Sequence, residues 1–433
     1  MKGNKVVKNA SWIISVRIVQ AVLNMLISMI TARYLGPSNF GLINYAASIM
    51  AFAAPIMNIG LPNILVQQIV VDPDKEGDII GSSTLACIAS GLICILGITA
   101  FVSIANHGER ETIIICILYS FTLITQAMEC ITYWFQAKLM SKYTSLISLV
   151  AYILVSIYKI YLLVTGKSVR WFAIANMLDF LIISLICLYF YKRLGGKPLR
   201  FNIELLFQMV NKSKYYIISG LMISVFAQTD RIMLKLMIDE SATGLYSAAV
   251  TCAGMTGFIF SAIIDSSRPA IFESLKTSKA AMEKNMTRLY SIVIYFALAQ
   301  SIVITIMAKP IIYILYGSQY MTSAVALRVV VWYTTFSYLG AIRNIWMLAT
   351  GKEKLIWIID LSGAVANVFI NILLIPRFGI IGASVASLIT QLFANVIMGY
   401  ILKPVRPNNR LMIKGLNPRC FIEMIKYIMP KSK

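Results

Sequence analysis

A chain of 433 residues that is 59% hydrophobic and only 13% charged, with a mean hydropathy of +0.77, has too few polar side chains to cover a core in water. A water-soluble domain is excluded, and the composition is that of a polytopic membrane protein. The net charge of +21 does not mark a nucleic-acid surface, because the cations are sorted by side of the membrane rather than gathered on one soluble face. A single histidine, His107, excludes a histidine proton relay or a histidine metal centre. Seven cysteines, none in a Cys-x-x-Cys pair, read as small packing residues.

Apolar segments of about 20 residues, the length needed to span, lie near 11–34, 38–61, 79–105, 111–134, 143–165 and 170–191, and again near 214–238, 243–264, 287–308, 323–349, 354–375 and 379–402. The expected fold is therefore all-α, with twelve transmembrane helices. The first segment is too long, and lacks the small-residue cleavage site, for a secretory signal. With the N-terminus inside, 27 of the 39 Lys and Arg fall in inner loops and tails and five in outer loops, which places both termini in the cytoplasm.

The first span carries Arg17, Gln20, Asn24, Ser28 and Thr31 at three- and four-residue steps, so one helical face is polar for its whole length. Such a face is expected to line a wet cavity, because polar groups facing lipid are costly. The span ends in a turn, Gly36-Pro37-Ser38-Asn39, in which glycine and proline stop one helix and Ser and Asn are suited to cap the next. A membrane hairpin follows, with Gly36, Pro37 and Gly41 as turn residues.

The hairpin recurs 203 residues later. Gly244-Leu245 falls opposite Gly41-Leu42, and Asn44, Ser48, Ala51 and Asn58 fall on Ser247, Thr251, Gly254 and Ser261. The seventh span repeats the polar stripe with Gly220, Ser224, Gln228, Arg231 and Lys235. The simplest arrangement is two six-helix lobes, 1–196 and 197–404, related by a pseudo-twofold around a central cavity. A cytoplasmic basic tail, 405–433, is expected to place an amphipathic helix near Phe421 to Met429 on anionic lipid. The basic stretch 192–200 links the lobes, and the inner loop from Arg268 to Arg288 is expected to be a surface helix.

Four charges lie at matching depths: Lys159 with Asp179, and Arg343 with Asp360. Each couple is expected to form a structural ion pair, since pairing relieves the cost of burying either charge. Arg231 and Lys235 have no acid at a matching helical step, as Asp230 points about 100° away from Arg231. They are candidates for binding an anion.

The turn Arg33-Tyr-Leu-Gly-Pro-Ser-Asn-Phe-Gly41, the span ending Asn58-Ile-Gly-Leu61, and Asp230-Arg231 followed by Gly244-Leu-Tyr246 resemble the polysaccharide-transport family, the Wzx-type O-antigen flippases. That family belongs to the superfamily of the lipid II flippases and the MATE multidrug antiporters, and the resemblance runs to about Lys403. It implies a V-shaped MATE-like fold and a substrate of undecaprenyl-diphosphate-linked oligosaccharide, with a polysaccharide polymerase and a chain-length regulator as partners. Within that implication Arg17 and Arg231 are the residues suited to the diphosphate, because a guanidinium donates two parallel hydrogen bonds and keeps its charge. Asn24 and Gln228 are suited to sugar hydroxyls, with Gln20, Ser224 and Lys235 completing the set. No phosphate loop, nucleophile elbow, metal-ligand cluster or paired-carboxylate motif occurs in a loop, so no cofactor, no metal and no enzymatic step are expected. A cation-coupled drug antiporter is the first alternative; a first span carrying Arg17 and no acid counts against it. A membrane polymerase or glycosyltransferase is the second, opposed by the short outer loops.

Overall fold

The computed structural model describes residues 2–421, and the side chains of 2–15, 17, 18 and 21 lie outside the description. The tail helix expected over 421–429 falls almost wholly beyond the described residues.

The described chain is helical from end to end, as lipid requires, because a helix satisfies its own backbone groups. The elements are α1 (Lys2–Met57), α2 (Pro62–Val71), α3 (Glu76–Ala105), α4 (Arg110–Ser120), α5 (Thr122–Ala127), α6 (Thr132–Ala137), α7 (Ser141–Val164), α8 (Val169–Arg193) and α9 (Ile203–Met237). They continue with α10 (Glu240–Gly254), α11 (Gly257–Thr277), α12 (Lys279–Tyr316), α13 (Ser323–Ala349), α14 (Ile356–Leu392), α15 (Met398–Ile401) and α16 (Arg406–Gly415). Among the described residues nine helical stretches are long and apolar enough to cross a membrane, or ten if α10 and α11, bent by 43°, count as one broken span.

Two of those stretches contain hairpins. In α1 the backbone leaves the helix at Gly36 (φ 71°, ψ 172°), a region open to glycine, and Pro37 starts the next segment. The segments fold back on each other: Asn24, Ser28 and Thr31 line the same cavity as Ala47, Asn44 and Phe40. The same device recurs at Gly379 (φ 55°) in α14, where Gly382 packs on the Leu374 carbonyl. The stretch 268–288, expected to be helical, is helix but for Ser278, whose hydroxyl accepts from the Ala281 amide at 3.1 Å and caps α12.

Two compact units divide the chain, residues 1–244 and 245–433. The first unit shows the inverted patterning of a membrane protein. On α3, Leu92, Ile93, Leu96 and Ile104 are exposed while Cys87, Gly91, Cys94, Ile98 and Val102 are buried. The outward face is thus as apolar as the core and is suited to acyl chains.

Candidate functional site: polar cavities and ion cluster of the first unit

The stripe on α1 faces cavities, as its periodicity predicts. Gln20 lines a cavity of about 460 Å³ with Glu129, Thr132, Gln136 and Ser148. Asn24, Ser28 and Thr31 line a second one of about 220 Å³ with Tyr119, Lys159 and Asn176. Between the two, the Tyr152 hydroxyl donates to Asn24 Oδ1 at 3.3 Å. Arg17, one turn before Gln20, has its side chain outside the described set. The two cavities share the same walls, α1 and α7, with Ser141, Ser145 and Ser148 of α7 lining the first and Lys159 the second.

The matching stripe on α9 has a different surrounding. Gly220 packs on the Pro55 ring, the Ser224 hydroxyl donates to the Ala51 carbonyl at 2.8 Å, and Gln228 Oε1 accepts from Ser48 at 3.0 Å and from Arg231 Nη1 at 2.8 Å. These residues join α9 to the second segment of α1 by small-residue packing and hydrogen bonds across helices, the usual glue between helices in lipid. Part of what reads in sequence as a cavity wall is therefore a helix seam.

Lys235 corrects the sequence reading more sharply. Its side chain is only 2% exposed and pairs with Glu109 at 2.7 Å and Glu240 at 3.0 Å. The acids come from the α3–α4 loop and the start of α10, so a search for partners at helical steps on α9 could not find them. Ser38 of the first hairpin also donates to Glu240, at 3.0 Å, and Thr112 to Glu109, at 2.7 Å. Burial acts to raise the Glu109 pKa, but hydrogen bonds from Lys235 and Thr112 outweigh it and hold the carboxyl below its ordinary range.

At this cluster the two hairpins meet reciprocally. A Cβ on Gly41 would overlap the Glu240 carbonyl, and one on Gly244 would overlap the Pro37 carbonyl. Since Pro37 and Glu240, like Gly41 and Gly244, are 203 residues apart, each glycine receives the backbone of the other's equivalent partner. Such an i-to-j, j-to-i exchange is the mark of a local twofold.

The two ion pairs expected from depth do not close. Lys159 Nζ donates to Asn176 Oδ1 at 3.1 Å, and Asn176 Nδ2 passes the chain to Tyr119 at 2.8 Å. Asp179 makes no salt bridge among the described residues, and its Oδ1 is a buried acceptor without a donor there. In unit two, Arg343, 2% exposed, donates to the Ala394 carbonyl at 2.8 Å, to Asn395 Oδ1 at 3.1 Å and to Asn344 Oδ1 at 3.0 Å, not to Asp360. Both Ala394 and Asn395 sit in a π-turn, Phe393–Ile397, a local widening that re-aims backbone and side-chain acceptors. In both cases neutral amides solvate the cation where depth alone suggested a carboxylate.

Sequence reading missed Glu129, Gln136, Tyr119 and Asn176. A signal existed for the first: Thr122, Gln126 and Glu129 share a face at i, i+4 and i+7, and a 3₁₀ segment, Met128–Ile131, interrupts the span there.

Comparison with known proteins agrees with this architecture. Residues 6–275 match the family described as polysaccharide biosynthesis protein. The chain is 22% identical over 410 residues to the capsular polysaccharide biosynthesis protein CapF of Staphylococcus aureus, covering 92% of this chain and all of that one. It is 22% identical over 394 residues to the probable flippase AglR of Haloferax volcanii, covering 88% and 80%. Among solved structures, the lipid II flippase MurJ in an inward closed conformation matches with a TM-score of 0.72 at 12% identity, covering 96% of this chain and 92% of that one. An inward-facing MATE-family multidrug transporter matches with a TM-score of 0.66 at 15% identity, covering 92% and 96%. The chain belongs to the polysaccharide biosynthesis protein family, as a multi-pass helical membrane protein with a MATE-like fold.

Proposed function

We propose that the chain is a flippase, not an enzyme, that carries undecaprenyl-diphosphate-linked oligosaccharide from the cytoplasmic to the outer leaflet of the cell membrane by alternating access. The observation that carries this reading is the α1 stripe. Gln20, Asn24, Ser28 and Thr31 line two polar cavities inside an otherwise apolar unit. Polar groups within a membrane domain mark the route of a polar cargo, and an oligosaccharide is rich in hydroxyls that Gln20 and Asn24, which line the cavities, can bond. The family and the name of one relative, a probable flippase, support a lipid-linked cargo for polysaccharide synthesis.

In this reading twelve spans form two six-helix lobes, 1–196 and 197–404, with both termini and the basic tail in the cytoplasm beside anionic lipid. The hairpin breaks at Gly36 and Gly379 provide the two spans beyond the ten counted with the bent pair. Reporter fusions at Lys197 are expected to read cytoplasmic and at Asn106 external. An external reading at Lys197 would overturn the topology. Polymerase and chain-length regulator are the expected protein partners, and no nucleic acid is.

Arg17 and Arg231 hold the diphosphate, and Gln228 orients the Arg231 guanidinium through the 2.8 Å bond already described. Lys235 is assigned to the ion cluster, not to the cargo. Arg17→Ala and Arg231→Ala are each expected to accumulate lipid-linked repeat units on the cytoplasmic face at unchanged membrane protein level, with Lys a partial rescue because it lacks the fork. Wild-type polysaccharide from the double variant would show that the headgroup is held elsewhere.

A further inference from the structure

Unit one carries a groove that the transport reading does not use. It has a volume of about 570 Å³, and every side chain lining it is apolar. Ile49 and Ala53 of α1 with Cys94 and Ile98 of α3 are its buried floor, while Ile56, Ile93 and Phe101 are exposed and form its rim. Leu221 and Ile232 of α9 complete the wall. Through Ile93 the rim runs into the exposed apolar face of α3, so the groove is continuous with surface that meets acyl chains.

Gly97 makes the groove. A glycine inside a helix costs stability relative to alanine, and in membrane helices it commonly sits where a neighbour packs closely. Gly91 is of that kind, with Met57 Cγ 3.4 Å from where its Cβ would stand. Gly97, in contrast, faces nothing within 4 Å. It lies four residues from both Ile93 and Phe101, so one helical face presents a large side chain, none, and a large one again. On one side of this gap Ser90 Oγ donates to the Ile56 carbonyl at 3.0 Å, and on the other Tyr45 donates to Asn106 Oδ1 at 2.8 Å. α1 and α3 are thus tied at both ends and stand apart at Gly97. The second half of the sequence does not repeat the gap: α12 begins 203 residues after α3, and at that offset Gly97 and Ala53 fall on Gln300 and Thr256.

Length and charge select the occupant. At a helical rise, Ile93 to Phe101 covers about 12 Å and Leu221 to Ile232 about 16 Å, which is one leaflet, about half of a 30 Å hydrocarbon core. Beyond Phe101, α3 ends at Ala105, and the turn that follows leads to exposed Arg110 at the start of α4. The acids on either side of Arg110 are engaged elsewhere, Glu109 by Lys235 and Glu111 by Arg170. An uncompensated guanidinium above an apolar groove suits a phosphate. We propose that the groove holds one acyl chain of an anionic phospholipid, with its phosphate on Arg110. A chain much longer than a leaflet is turned out of the groove by the tie at Ser90. The inference concerns a bilayer lipid and does not depend on what the protein transports.

Two measurements on the purified full-length chain test this. In native mass spectrometry from detergent with added phosphatidylglycerol, the wild type is expected to keep one lipid after the others are stripped. Gly97→Leu, which fills the gap, should lose that lipid, and Leu96→Phe, on the neighbouring exposed face, should keep it. Arg110→Gln should hold phosphatidylglycerol no better than phosphatidylcholine, and an unchanged preference would overturn the headgroup assignment. In vesicles, phosphatidylglycerol with a photoreactive group midway along one acyl chain is expected to label residues 93–101 of the wild type, whether or not undecaprenyl phosphate is added. This second arm needs no variant and stands even if Gly97→Leu does not fold. Label spread evenly over the exposed helices, or the same lipid retained by folded Gly97→Leu, would overturn the proposal and leave ordinary annular lipid. Displacement of the label by undecaprenyl phosphate would overturn it in favour of an isoprenoid chain.

Discussion

Replacing Gly41 with alanine is expected to lower the folded amount of protein in the membrane more than any change in the cavities. The added methyl would overlap the Glu240 carbonyl and crowd the Gly244 amide, both backbone atoms of the opposing hairpin that no rotamer change can move. Overpacking of this kind costs on the order of 3 kcal/mol, and the reciprocal geometry predicts a similar cost for Gly244→Ala against the Pro37 carbonyl. Gly97 supplies the control: nothing lies within 4 Å of a Cβ there, so Gly97→Ala should be neutral or slightly stabilising through helix propensity. The check is the monodisperse fraction and thermal midpoint in detergent. Wild-type values for Gly41→Ala would mean that the hairpins do not cross as closely as described.

The second large effect is expected at Lys235, and its direction depends on which partner is removed. The ammonium is 2% exposed, while its partners Glu109 and Glu240 are 46% and 34% exposed. Lys235→Met leaves two carboxylates that water can still reach, so the loss should be modest, about 1 kcal/mol. The double change Glu109→Gln, Glu240→Gln strands a buried cation and should cost on the order of 3 to 5 kcal/mol. Equal losses would contradict the burial argument. The same cluster sets a pH dependence. Because the Glu109 pKa is depressed in the folded state, its contribution is fully present above the unfolded carboxyl value of about 4.3. That contribution is lost as pH falls through the lower folded value.

The helices and the orientation of the α1 stripe were legible in sequence because a membrane imposes both length and polarity on every span. The turn at Gly36 was legible because glycine and proline act locally. The partner of Gly41 was legible only as a repeat: the offset of 203 names Gly244 as its equivalent, not as its neighbour. What could not be read were partners supplied by distant elements. Glu109 reaches Lys235 across 126 residues, and Asn176, one turn from Asp179 on the same face of α8, receives Lys159. Arg343 is held by a π-turn, a departure from regular helix that no 3.6-residue pattern encodes. Glu129 shares a helical face with Thr122 and Gln126, a signal readable from sequence, and the 3₁₀ segment Met128–Ile131 begins only there.

Movement of a lipid-linked oligosaccharide between leaflets can be followed by reconstitution. Purified protein is placed in lipid vesicles carrying undecaprenyl-diphosphate-linked oligosaccharide from the host, and the fraction reached by a membrane-impermeant sugar-modifying reagent is followed over time. The account predicts exchange between leaflets that requires the protein and falls in the Arg17→Ala, Arg231→Ala variant at equal reconstitution. An exchange rate no different from protein-free vesicles, with the protein folded and inserted, would contradict it.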